Sequence, residues 1–421
     1  MTASDTHRAI SAVFRIEQAK LIAGLARIVH DVGLAEDLAQ DALLAALERW
    51  PTMGVPDNPG AWLMATAKHR SIDQLRRHAM LERKHAQLGH ELASLQESHV
   101  SELDTALDDH VGDDLLGLMF TACHPVISTD ARVALTLRLL GGLTTDEIAR
   151  AFLVPEPTMA QRIVRAKRTL SEAKVAFEVP RGAEFHSRLD SVLQVIYLVF
   201  NEGYSATAGN EWLRPGLCED ALRLGRILVA LVPTEAEVHG LVALMEIQAS
   251  RSGARVGADG APVLLLEQDR SRWDQLLIGR GLVALARAES LAESRGSYTL
   301  QAAIAACHAR ARTASDTDWH RIADLYRELS ELTRSPIVEL NRAVAVSMAF
   351  GPALGLDLVD SLREEPSLRG YHLLPAVRAD LLIKLGRPME ARSELQRAAS
   401  MTRNERERAL LLERAEGLQT R

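Results

Sequence analysis

Apolar residues recur three and four positions apart along nearly the whole chain, and no stretch sustains the alternation of a half-buried strand. The pattern predicts an all-α protein. One helix is predicted over 8–30 and a second over Ala35–Trp50, with Leu38, Ala42, Leu43, Ala46, Leu47 and Trp50 on one face. Pro51, Gly54, Pro56, Asp57, Asn58 and Pro59 make a breaker-rich loop. A third helix then starts near Gly60 and runs to about Arg77. Residues 81–112 are polar and acidic with weak periodicity, as in a linker.

A second helical unit is predicted from Asp113 to about Phe177, centred on LTTDEIARAFLVPEPTMAQRIVRAKRTL. Thr144 and Glu147 have capping-box spacing, Ile148, Ala149 and Phe152 give a short helix its buried face, and Pro155 and Pro157 force a turn. A new helix beginning at Thr158 carries Met159, Ile163, Ala166 and Leu170 as an inner stripe. Gln161, Arg162, Arg165 and Arg168 then face outward. Helix, tight turn and a second helix with a basic outer face make a helix-turn-helix.

Pro180-Arg181-Gly182 punctuates the next boundary, and 180–421 is again helical. VELNRAVAVSMAFGPALGLDLV and LPAVRADLLIKLGRPMEARSEL superpose when Gly351 is placed on Gly386, an offset close to the tetratricopeptide period. The helices Glu219–Leu231 and Glu235–Arg251 read as degenerate members of the same stack, and Arg251–Pro262 as a connecting loop.

Composition adds bounds. With 421 residues and 47% hydrophobic content the chain is long enough for two or three domains. Met1–Ala12 is polar and no run approaches the length of a membrane span, so a cytoplasmic protein without membrane contact is expected. Cys123, Cys218 and Cys307 are far apart and read as buried thiols, and His124 reads as part of a turn before Pro125. No Gly-rich phosphate loop, nucleophile elbow or metal-spaced His/Glu cluster is present, so neither catalysis nor a cofactor is expected.

Charge changes the picture more. The net charge is −7, yet Trp62–Lys84 holds six Lys or Arg against two acids, and Arg162–Lys174 five against one. Between them, Glu91–Asp114 holds eight acids and no Lys or Arg. Two basic islands in separate helical units fit a bipartite DNA reader, in which cations near phosphate give affinity and a recognition helix reads base edges. Trp62 beside positive charge suits an unstacked base, although a large aromatic on an amphipathic helix is also an ordinary core residue.

AEDLAQDALLAALERW, then NPGAWLMATAKHRSIDQLRR, then the helix-turn-helix, resemble the two domains of bacterial extracytoplasmic-function sigma factors. YLVFNEGYSAT and the repeat-like tail resemble the subgroup with a large tetratricopeptide-like C-terminal extension. The resemblance implies a first sigma domain over 1–80, an acidic linker over 81–112, a second sigma domain over 113–178 and a regulatory extension over 180–421. It implies two partners, core RNA polymerase and promoter DNA, and the extension offers a surface for a further protein.

By position, Glu36, Asp37, Gln40 and Asp41 match the segment that docks on the polymerase. Trp62, Lys68, His69, Arg70, Arg76 and Arg77 match the part that captures and opens the −10 element, His69 standing where the family often has Asn, and Asp73 falls to packing or to an internal salt bridge. Thr158, Gln161, Arg162 and Arg165 would meet the −35 element, with Lys167 and Arg168 on phosphate and Thr158 capping the helix. A ligand- or partner-controlled helix-turn-helix regulator acting outside the polymerase is the alternative, and an enzyme grafted at 182–421 a third reading. Glu202, Tyr204, Asp259 and several arginines of the extension read as polar groups of helix packing, or as ligand contacts.

Overall fold

The computed structural model describes residues 3–71, 111–204, 214–257, 263–402 and 404–418, and among them there is no β-strand. Residues 81–110 of the expected linker 81–112, with Arg76, Arg77, Asp73 and Asp259, lie outside the described residues, and the last two linker positions, 111 and 112, are helical. The chain forms two compact units, Met1–Ile196 and Tyr197–Arg421.

In the first unit, α1 (Ala3–Val29) packs on α2 (Val32–Met53). Asp31 caps α2 by accepting the Leu34 amide at 2.9 Å, and Ala35, Ala39, Ala42, Ala45 and Ala46 give it a small-residue inner face. The helix continues through Pro51, which the sequence pattern places in the loop, and stops at Gly54, whose φ of 83° suits glycine. A helix α3 follows over 59–71, with Asn58 accepting the Ala61 amide at its start. Trp50 is 2% exposed and meets Trp62 edge to face at 5.3 Å, which fastens the end of α2 to α3.

The remainder of this unit is α4 (Val111–Ala122), α5 (Thr129–Leu139), α6 (Thr145–Ala151), α7 (Glu156–Glu172) and the first part of α8 (Ala183–Tyr204). Arg188 and Ser191 of α8 donate to the carbonyls of Phe120 and Cys123 at 3.0 and 2.7 Å. The division between units therefore falls inside α8 rather than at Pro180. Cys123 is buried, and His124 accepts the Val126 amide in a turn around Pro125.

The second unit continues with α9 (Pro215–Leu231), α10 (Ala236–Ala249), α11 (Gln275–Leu291), α12 (Ser297–Arg310) and α13 (Trp319–Thr333). It ends with α14 (Pro336–Phe350), α15 (Pro352–Ser361), α16 (Leu373–Lys384), α17 (Pro388–Met401) and α18 (Glu405–Gly417). Neighbouring helices from α13 to α18 pack in sequence, as stacked helical pairs require. The equivalent glycines Gly351 (φ 107°) and Gly386 (φ 71°) both turn one helix of a pair into the next, so the repeat has a geometric cause.

Buried carboxylates join these helices. Glu246 on α10 takes Arg226 of α9 at 2.9 Å and Arg280 of α11 at 3.3 Å. Glu202 pairs with Arg214, which gives it a packing role. Gly296 has no side chain to cap α12, and Glu237 of α10 instead accepts the amides of Tyr298 and Thr299 at 2.8 and 3.0 Å.

His308 on α12 is 8% exposed, and burial, followed by Arg251 and Arg270, pushes its imidazole down to about 4. The unfolded ring titrates near 6.5. As pH falls from 6.5 to 4 the unfolded chain takes up a proton that the folded chain resists, which lowers stability by roughly 3 kcal/mol over that window. His308→Phe is expected to flatten this part of a plot of Tm against pH, and an equal slope in both proteins rejects the assignment.

Candidate nucleic-acid interface

The helix-turn-helix forms from local rules. The Thr144 hydroxyl accepts the Glu147 amide at 3.2 Å and the Glu147 carboxylate accepts the Thr144 amide at 2.8 Å, so the expected capping box is present. Leu153, with φ 51°, makes the turn. Met159, Ile163, Ala166 and Leu170 of α7 are all buried, as their spacing predicts.

One expectation fails. Thr158 does not cap the helix, because α7 already begins at Glu156 behind Pro155. Pro157 is tolerated in the first turn, where its missing N–H has no intrahelical partner to lose. Thr158 instead opens an exposed face that continues through Gln161, Arg165 and Arg168, with Val164 beside it. Arg168 is bonded to Glu172 at 2.6 Å and Arg162 is half-buried, 3.6 Å from Asp130.

Lys167 points elsewhere. Its ammonium pairs with the carboxylate of Glu36 on α2, and the other Glu36 oxygen accepts Arg138 Nε from α5 at 2.6 Å. Glu36 is 1% exposed. Thus a residue expected to dock on the polymerase and a residue expected on DNA phosphate form an ion pair with each other, with Arg138 as the third member. The Lys167 stem runs past Gly33, where an added Cβ would touch it at 3.5 Å and would crowd the capping carboxylate of Asp31 at 3.0 Å. Gln18 on α1 donates to the Arg138 carbonyl at 3.1 Å, and Arg27 lies 3.3 Å from Asp114. The first and second helical groups of this unit are therefore held together.

On the rest of α2, Asp37, Asp41, Leu44 and Glu48 are exposed along one face and Gln40 is half-buried, donating to Glu36. Partial burial, and then the carboxylates of Glu36, Asp41 and Asp31 against the opposing pull of Lys167, raise the Asp37 pKa. On α3, Trp62 and Lys68 are half-buried and His69 is exposed. Arg70 donates to the Asp41 carbonyl at 2.8 Å, which joins the basic helix to the acidic one. Among the described residues no group of three or more His, Cys, Asp or Glu is arranged to hold a metal ion.

Comparison with known proteins decides the family. The chain matches Sigma-70 region 2 over residues 13–80 and Sigma-70, region 4 over 118–170, and a family of unknown function (DUF6596) over 188–289. An uncharacterized protein of Rhizobium meliloti (strain 1021) is 43% identical over 388 residues, covering 92% of this chain and 90% of that protein. A probable ECF RNA polymerase sigma factor, SigI, of Mycobacterium tuberculosis is 30% identical over 179 residues, 41% of this chain and 58% of its own.

The chain belongs to the extracytoplasmic-function sigma factors that carry a C-terminal extension. Such sigma factors are transcription factors rather than enzymes, and the sigma role is favoured over a regulator outside the polymerase. No helix among the described residues is long and apolar enough to cross a membrane. Arg138, the partner of this sigma factor's acidic helix, was not legible in the sequence, where its only signal is a lone charge within the mostly apolar VALTLRLL.

Proposed function

We propose that unit 1 docks on core RNA polymerase through the exposed α2 face of Asp37, Asp41 and Glu48, and grips promoter DNA with two helices. The −35 element takes the outer face of α7, where Thr158, Gln161 and Arg165 reach base edges and Arg168 reaches phosphate. The −10 element takes α3, where Trp62 and His69 meet an unstacked base beside Lys68 and Arg70, with Arg76 and Arg77 continuing the basic run. The observation that carries this reading is the exposed polar face of α7 behind a fully buried apolar stripe. The protein acts in the cytoplasm, where polymerase and promoter are.

In this reading the Glu36–Arg138–Lys167 cluster belongs to a resting form. Elements at −10 and −35 are about 85 Å apart along the duplex, at 3.4 Å per base pair. The two helical groups, held together by this cluster, by the Gln18 and Arg27 contacts and by the packing of α1 on α4, do not span that distance, so unit 1 opens before it engages both. The extension controls this opening, alone or with a protein partner.

The test is run-off transcription from a cognate promoter with core polymerase and the full chain. Asp37→Arg replaces an exposed side chain, so it is expected to leave Tm unchanged and to cut transcription by tenfold or more, as reversing a charge at a complementary interface does. Wild-type output from this variant rules out the docking face.

A further inference from the structure

The second unit contains a cavity of about 230 Å³ that nothing in the sigma role uses. The rings of Tyr197, Phe200, Tyr204 and Tyr326 wall it. Phe200 and Tyr204 are stacked at 5.6 Å, and the guanidinium of Arg255 covers the Tyr204 ring at 3.6 Å. Polarity comes from the side-chain amides of Asn201, Gln248 and Gln301, the imidazole of His308, and Arg251 just beyond the end of α10. None of the residues lining the cavity is acidic.

The polar groups are under-used. Arg251 donates through Nε to Gln268 at 3.3 Å and through Nη1 to Gln248 at 3.1 Å, which occupies two of its five N–H groups. Its guanidinium lies 5.3 Å from the Trp273 ring. Behind it, Arg270 is 7% exposed and directs its N–H groups to the carbonyls of His308 and Ala311 and to the Thr317 hydroxyl. Neither arginine has a carboxylate among these partners. Their field already disfavours a proton on His308, and burial followed by Arg251 lowers the pKa of Arg270 itself.

Two further atoms stand out. Nδ1 of His308 and the hydroxyl of Tyr204 are buried without a hydrogen-bond partner. Folded proteins rarely leave such atoms unpaired, and here both belong to residues of one electropositive, aromatic-walled cavity.

We propose that this cavity binds a small planar organic carboxylate, its ring held among the four aromatic side chains and its carboxylate on Arg251. The Tyr204 hydroxyl and His308 Nδ1 bond to polar groups at the edge of the ligand. A phosphate ester fits less well, because a single guanidinium lines the cavity. A neutral ligand leaves the arginine charge unmatched. The inference concerns unit 2 alone and holds whether or not unit 1 docks as proposed.

The experiment is calorimetric titration of the full chain with benzoate, salicylate and indole-3-acetate, alongside their uncharged carboxamides. At least one carboxylate is expected to bind saturably, one to one, with Kd below about 1 mM and roughly tenfold or more tighter than its amide. Arg251→Met is expected to weaken that binding by about tenfold or more.

Because this variant also loses the bonds to Gln248 and Gln268, Tyr204→Phe provides the separate check. Its hydroxyl makes no hydrogen bond of normal geometry in the free protein and the Arg255 guanidinium keeps its place over the ring, so Tm without ligand stays level while binding weakens several-fold. A purely structural tyrosine gives no such split. The proposal is overturned if none of the three carboxylates binds saturably, if the amides bind equally well, or if Tyr204→Phe binds like the parent.

Discussion

Changing Arg138 to glutamate is expected to open unit 1. The new carboxylate faces Glu36, whose side chain is nearly inaccessible to water, and removes the 2.6 Å bond that now neutralises it. Breaking a buried ion pair by removing one member costs about 3–5 kcal/mol, because the other charge stays desolvated. The like charge adds repulsion, and Lys167 alone has to hold two carboxylates. A bias of about 3 kcal/mol shifts the balance between closed and open forms by more than a hundredfold.

Arg138 lies in neither proposed DNA face nor on the exposed acids of α2, so opening is separated from loss of contacts. Small-angle scattering is expected to show a larger radius of gyration, amide exchange in α2 to quicken, and core polymerase to bind more tightly. If radius and polymerase affinity both match the parent, the cluster does not keep the protein closed. Arg138→Met, which removes the bond without adding repulsion, is expected to fall between the two.

The second large effect concerns the tryptophan pair. Trp50→Ala removes a side chain 2% exposed and leaves a cavity at the junction of α2 and α3, at a cost of about 3–5 kcal/mol. For a unit of this size that lowers its melting transition by roughly 10 °C. Trp62→Ala is expected to cost only about 1 kcal/mol, since Trp62 is half-buried and loses mainly its edge-to-face contact.

Transcription reverses this order once each variant is assayed below its melting range. With Trp62 stacking on an unpaired base, its removal weakens promoter opening by about tenfold, whereas folded Trp50→Ala keeps the proposed DNA face. The readout is run-off output on a linear template compared with one whose −10 region is already mismatched. Rescue of Trp62→Ala by the mismatched template supports a role in opening, and equal output from both variants on the linear template refutes it.

What could be read from the residues differs from site to site for identifiable reasons. The inner stripe of α7 was legible because four apolar residues at three- and four-residue spacing in a short helix have one way to be buried. The Thr144–Glu147 box was legible because both partners lie within one turn. Thr158 was misread as a cap because hydroxyl residues favour that position, and the two prolines that displaced the start of α7 act through backbone geometry instead. Outward positions of α7 could be placed on a face, but not their partners. Lys167 and Arg168 are adjacent in sequence, yet one reaches Glu36 of α2 and the other Glu172 of its own helix.

The sequence by itself therefore determined the helical class, the helix-turn-helix, the glycine-marked helical pairs of the extension and the kinship with sigma factors. Each of these rests on interactions between residues within about a dozen positions, or on a motif read in order. Tertiary structure alone decided that Glu36 is a buried partner of Arg138 and Lys167, that Glu237 caps α12, and that Tyr204, Arg251 and His308 meet around one cavity. Those contacts join residues tens to more than a hundred positions apart. Periodicity fixes which side of a helix is apolar, but only packing determines which distant charge or ring that side encounters.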